Sequence, residues 1–165
     1  MLPQPIPFSK VTLGGTPTVT SNKHAALSHV VGEVAPGMPA VAEWSFDAKD
    51  AANIVAVLRS ELLRLRVFQS VAVGGTEEQI DFKINIDFAR IASSCHLGCG
   101  YEFEVEMQIE GGRTPFNKRY QIDSEREESA TEWFFNDPFD SKLVAVRAFL
   151  KKLVPDIQAY VAENA

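Results

Sequence analysis

Between Gln79 and Ile122, apolar and polar residues alternate almost without a break. Ile80, Phe82, Ile84, Ile86 and Phe88 fall on one side of an extended chain, with Asp81, Lys83, Asn85 and Asp87 on the other. Tyr101, Phe103, Val105, Met107 and Ile109 repeat the pattern against Glu102, Glu104, Glu106, Gln108 and Glu110. Successive side chains of a strand point to opposite faces, so this stretch predicts two or three antiparallel strands with one buried face and one wet, acidic face.

The flanking segments supply the layer that covers the buried face. Asp47 is placed to cap a helix, with Asp50 three residues on, and Ala51, Ile54, Val55, Leu58, Leu62 and Leu65 recur at helical spacing. Val67 to Val73 is rich in strand formers and stops at Gly74-Gly75. The two long arms are joined by Ala92 to Gly100, and a third arm, Phe116 to Ile122, is set off by Gly111-Gly112 and Pro115. Ser141 can cap a last helix lined by Leu143, Val146, Phe149, Leu150 and Leu153, with Pro155 expected to kink or interrupt it. Phe8 to Leu13 and Val41 to Phe46 are short strand candidates. Thr16 to Met38 is broken by Pro17, Gly32, Pro36 and Gly37 and predicts mostly loop, with a helical turn over Lys23 to Val31. This order predicts an α+β fold: a mainly antiparallel sheet of four to six strands with two principal helices packed on one face. Residues 1–7, with prolines at positions 3, 5 and 7, read as an extended leader or tether, and residues 8–165 as one domain.

The chain has 16 basic and 22 acidic side chains, a net charge of −6, and no apolar run long enough to span a bilayer. Met1 leads into Leu2-Pro3-Gln4 with neither the basic start nor the apolar core of a signal peptide. From Tyr101 to Asp137 ten acids face four bases, so the whole excess lies there. Such a surface repels phosphate backbones and anionic headgroups, which argues against nucleic acid and against polybasic membrane contact. It serves either as a solvated face or as a docking surface for a basic partner.

Few residues suggest chemistry. His24 and His29 lie five apart, outside the spacing of a helical metal pair, and Cys95, His96 and Cys99 lack a further ligand for zinc. Gly14-Gly15 and Gly74-Gly75 lack the Lys-Ser/Thr of a phosphate loop, and no nucleophile motif is present. No catalytic residue, cofactor or metal is therefore expected. Cys95 and Cys99 are the only cysteines; a disulfide between them, free thiols and a metal site are the three readings, the disulfide favoured in an oxidising compartment. Trp133-Phe134-Phe135 needs either an intramolecular pocket or a partner to cover it. The possible partner contacts are thus Glu102, Glu104 and Glu106 together with Trp133, Phe134 and Phe135.

Trp44, the amphipathic helix carrying Leu58-Arg59-Ser60-Glu61-Leu62-Leu63, then Val67-Phe68-Gln69-Ser70-Val71 and the long alternating hairpin resemble envelope lipoprotein domains. The pattern is similar to that of the ABC-type transport auxiliary lipoproteins and, more loosely, to the N-terminal domain of translocation protein TolB. Where these families usually place Gly or Ser before the Phe, this chain has Leu65-Arg66-Val67. The resemblance implies a non-catalytic periplasmic module, anchored by an acylated cysteine absent from this chain with the outer membrane as the candidate anchor, that assists a transport or assembly complex by contacting another envelope protein. Two other readings fit the residues: a small acidic cytoplasmic inhibitor of the immunity type, and a ligand-binding domain with a cavity between sheet and helices.

Overall fold

The computed structural model describes residues 21–35, 48–74, 79–95, 99–124 and 138–164. Five strands form one sheet: β1 (His24–Ala35), β2 (Ser70–Val73), β3 (Phe82–Cys95), β4 (Cys99–Glu110) and β5 (Phe116–Asp123), in the order β2-β1-β3-β4-β5. Two helices, α1 (Ala48–Arg64) and α2 (Pro138–Glu163), pack against it. The α+β arrangement expected from the alternation is present. The sheet is mixed, however, because β1 runs parallel to both β2 and β3 while β3, β4 and β5 form an antiparallel meander.

The strand β1 corrects the expectation of loop and helical turn over Lys23 to Val31. Its inward positions carry Ala25 and Leu27, both buried, while Ala26 and Ser28 take the other face. These residues are weak strand formers by themselves; pairing with β2 on one side and β3 on the other supplies the stability that propensity does not. Val67 to Val73 is likewise shortened, since the chain turns through residues 65–69 before β2 begins. The strands of the long hairpin extend further than expected, to Cys95 and from Cys99, which stand opposite each other in register. The side chains of Cys95 and Cys99 lie outside the described residues, as do the strand candidates Phe8 to Leu13 and Val41 to Phe46 and the cap at Asp47.

One break in the alternation keeps the buried face intact. Phe88 pairs with Val105 and Arg90 with Glu104, leaving Ala89 as an extra residue in β3. This bulge moves the inward phase from even to odd numbers, so that Ile91 is buried beside Phe103. Gly32 of β1 lies against the bulge, where a Cβ would come within 2.8 Å of the Ala89 carbonyl oxygen.

Ile54, Leu58 and Leu62 from α1, Phe82, Ile84, Ile86, Phe103, Val105 and Met107 from the sheet, and Phe149 and Leu150 from α2 meet in one cluster, while Ile80 and Leu143 are only partly covered. The rings of Phe88 and Phe149 stack at 5.9 Å and 14°, fixing α2 over the middle of the sheet. The helix α2 continues through Pro155 without interruption. Both Pro155 and Lys151, whose carbonyl loses its i+4 donor there, are exposed, so water can satisfy the freed group.

α1 ends at the turn Leu65-Arg66-Val67 in a Schellman motif. Val67 N–H donates to Leu62 O at 3.0 Å, Arg66 N–H donates to Leu63 O at 3.1 Å, and Arg66 takes the left-handed φ of 55° that glycine usually supplies. Replacing Arg66 by Gly is therefore expected to raise stability by about 1 kcal/mol in urea denaturation. Gly111 is the opposite case, with φ 117° and a Cβ position 2.0 Å from the Asp81 carbonyl oxygen. Gly111→Ala is expected to cost roughly 1–3 kcal/mol from backbone strain alone, with the steric overlap added.

Candidate functional site

With α1 and α2 on the inner face, the outward positions of the sheet form the face that no described element covers. The register arranges these side chains in rows across the strands. Val30, Asp87, Glu106 and Arg119 make one row, and Ser28, Asn85, Gln108 and Asn117 the next. Glu33, Arg90, Glu104 and Gln121 form a third, and Glu102 and Asp123 lie opposite each other in a fourth. Glu102, Glu104 and Glu106 thus sit where the alternation predicted, on the outer side of β4 between β3 and β5.

The charges on this face are only partly balanced. The Arg119 guanidinium approaches Glu106 at 3.3 Å, and Lys83 and Arg90 stand opposite Glu110 and Glu104. Hydrogen bonds from Asn117 and Gln108, joined by Arg119, hold the Glu106 carboxyl below the usual carboxylate range. Gln121 donates to Glu102. Asp87 directly opposes Glu106, however, and Glu102 directly opposes Asp123. Like charges in directly opposed cross-strand positions weaken a sheet unless other groups compensate them, as Arg119 does at Glu106 and Gln121 at Glu102.

The helix side holds three polar clusters that sequence periodicity did not single out. Near the N-terminal ends of both helices, the buried Lys142 lies 3.6 Å from Asp50 Oδ2 and 5.8 Å from the centre of the Tyr101 ring. A cation near a helix N-terminus opposes the dipole of α2, and Asp50 offsets it across the helix pair. Burial, reinforced by the Asp50 charge, pushes the Tyr101 phenol well above its ordinary pKa. The buried Ser124 accepts the Tyr101 backbone N–H at 2.8 Å. On α1, the buried Glu61 carboxylate accepts from Arg64 Nε and Nη2, each at 3.0 Å, so the charge is paired where it is desolvated. At the other end, Tyr120 donates to Asp156 Oδ2 at 2.6 Å and Lys118 donates to the same oxygen at 3.0 Å, tying β5 to α2.

His24 is placed beside Ser70, with Nδ1 2.6 Å from Oγ, at the edge of a shallow polar cleft of about 390 Å³ lined by Asn22, Lys23, Gln79, Ile80 and Asp81. A nucleophile and base need a third group that orients the imidazole. Asp81 Oδ2 instead accepts the His24 backbone N–H at 2.8 Å, and Asp81 N–H donates to His24 O at 2.8 Å, which makes Asp81 a strand-end clasp. Among the described residues no three His, Cys, Asp or Glu side chains converge as a metal set. Trp133, Phe134 and Phe135 lie outside the described residues.

No family model matches the chain, and no curated protein matches it. Among solved structures it is similar to protein XCC0632 from Xanthomonas campestris, of the family DUF330, with a TM-score of 0.52 and 14% sequence identity over 92% of each chain. At that identity the likeness is one of fold, and it extends across nearly the whole of both chains.

Asp156 gives the helix side a defined pH response. Burial would raise its pKa, but the hydrogen bonds from Tyr120 and Lys118 outweigh that and hold it below the ordinary value. A carboxyl depressed in the folded state contributes stability above its unfolded pKa of about 3.9, and the contribution is lost as pH falls through the lower folded value. Asp156→Asn is therefore expected to be less stable than the parent at pH 7. The two unfolding curves should converge as the pH is taken below about 4.

Proposed function

We propose that this chain is a non-catalytic module of the bacterial envelope, the mature part of a lipoprotein, which assists a transport or assembly complex by binding another envelope protein through the outer face of β4. The observation that carries the binding assignment is the row Glu102, Glu104 and Glu106 along the outer side of β4, with Asp87 opposite Glu106, on a face that no described helix covers. Asp87 and Glu106 repel across the strands, whereas a basic partner would be attracted to the whole row. The envelope assignment is supported by the sequence resemblance running from Trp44 through the helix and hairpin to the last helix.

The same face would also suit a small acidic cytoplasmic inhibitor that masks a basic target, and cellular location separates the two. A photo-crosslinking residue placed at Glu104 in the producing cell is expected to give a discrete protein adduct. The same residue at Lys151, on the solvent side of α2, is expected to give none. Glu102→Lys with Glu106→Lys should reduce the Glu104 adduct about tenfold, the size of effect expected when about 1.4 kcal/mol of attraction is lost. Equal labelling from both positions, or no adduct from Glu104, would remove the assignment of the face. Recovery of the protein in the cytoplasm instead of the periplasm would shift the reading to the inhibitor.

A further inference from the structure

We infer that Cys95 and Cys99 are a disulfide site, joined across β3 and β4 by exchange with a disulfide-bearing oxidant so that the bond closes the tip of the long hairpin. The site rests on strand register and not on the outer-face contact. Cys95 ends β3, Cys99 begins β4, and the two are partners in register. Directly opposed residues of an antiparallel pair share a face and have Cα atoms about 4.5–5.5 Å apart. Cysteines are bridged without backbone movement when that distance is about 4.4–6.8 Å, so this register already meets the requirement. They are also the chain's only cysteines, which leaves one pairing within the chain.

The tip is where such a bond has most to hold. Support from β1 ends at the pair Ala35–Ala92, and support from β5 ends at Glu102–Asp123. Beyond these, Ser93, Ser94 and Cys95 pair with Tyr101, Gly100 and Cys99, so among the described residues the end of the hairpin is a two-strand ribbon. A ribbon of two strands is marginal in water, and Gly100 weakens this one further. At its base the Tyr101 N–H donates to Ser124 Oγ at 2.8 Å, and the Tyr101 ring lies 5.8 Å from the Lys142 ammonium, which reaches Asp50. A bond between Cys95 and Cys99 therefore stiffens the segment that carries Tyr101 to the N-terminal ends of the two helices.

The exchange balances within the two cysteines and the oxidant. One cysteine thiolate attacks a sulfur of the oxidant, forming a mixed disulfide and expelling one oxidant thiolate. The second cysteine then attacks the chain's own sulfur in that mixed disulfide, and the other oxidant thiolate leaves. Two electrons and the two thiol protons pass to the oxidant, which ends as two thiols.

The test equilibrates the full chain with oxidised glutathione and reads its intact mass with and without reductant. The expected product is lighter than the dithiol by two hydrogens, takes no alkylating reagent until it is reduced, and then takes two equivalents. Hydrogen exchange at Gly100 and Tyr101 is expected to be at least about tenfold slower in the oxidised form, with exchange at Ile86 and Met107, in the middle of the sheet, unchanged. Cys95→Ser with Cys99→Ser is expected to exchange like the reduced parent whether or not reductant is present. Glutathione retained on both cysteines, or disulfide-linked dimers as the main product, would overturn the site, because opposed thiols resolve the mixed disulfide within one chain. Two thiols still free after equilibration would do the same, as would thiols shielded by a metal and exposed by a chelator without reductant. Equal exchange in the oxidised and reduced forms would overturn the stiffening of the tip.

Discussion

Everything in this fold depends on β3 being paired on both sides while one of its faces is sealed by α1 and α2. β1 runs parallel to it and β4 antiparallel, so β3 joins a β1-α1-β2 unit to a three-strand meander. Its inward residues Phe82, Ile84, Ile86, Phe88 and Ile91 are all buried, and a slip of one residue would exchange them for Lys83, Asn85, Asp87 and Arg90. That penalty fixes the register of the whole sheet. The bulge at Ala89 is tolerated because it changes phase without exposing Ile91, and Gly32 accommodates it in the neighbouring strand.

The helices are located by stacking in the middle and by polar clasps at the ends. Phe88 and Phe149 fix the centre of α2, the Lys142–Asp50 pair joins the N-terminal ends of the two helices, and Tyr120 with Lys118 holds Asp156 farther along α2. The last turn is tied to the β4–β5 connection, since Gly112 N–H donates to Tyr160 Oη at 2.9 Å and Arg113 N–H donates to Asn164 Oδ1 at 2.8 Å. Tyr160 Oη in turn donates to Thr114 O at 2.8 Å. At Gly112 a Cβ would sit 2.4 Å from that phenol oxygen, so glycine is what lets the turn dock. Lys152 donates to Gln121 O at 2.7 Å, giving the edge strand β5 a partner on α2.

Stability and the proposed binding surface are therefore divided between the two faces of one sheet. Removing a large side chain from the inner face disturbs the shared core, whereas Glu102, Glu104 and Glu106 lie on the face opposite the helices. A partly balanced charged face on a rigid sheet holds its side chains at fixed intervals of strand geometry, and such spacing can be recognised without any rearrangement of the backbone.

The alternation of Ile80 to Phe88 and of Tyr101 to Ile109 determined the hairpin, its buried face and the outward placement of Glu102, Glu104 and Glu106, because a period of two admits only a strand with one face covered. The three- and four-residue spacing of Ile54, Leu58 and Leu62, and of Val146, Phe149, Leu150 and Leu153, determined the two helices in the same way. Tertiary structure alone decided the rest. β1 opens on His, Ala and Ser before reaching Val30-Val31 and Gly32, a mix whose local preferences name no single element, and it becomes a strand because β2 and β3 hydrogen-bond to it from both sides. Its parallel direction makes the sheet mixed, which no local period encodes. The opposed carboxylates, the Lys142–Asp50 pair and the Tyr120–Asp156 clasp join residues far apart in the chain, and their meeting depends on strand register and helix placement. Pro155 reads as a break in sequence, yet the helix continues through it, since the carbonyl it leaves without a donor faces water.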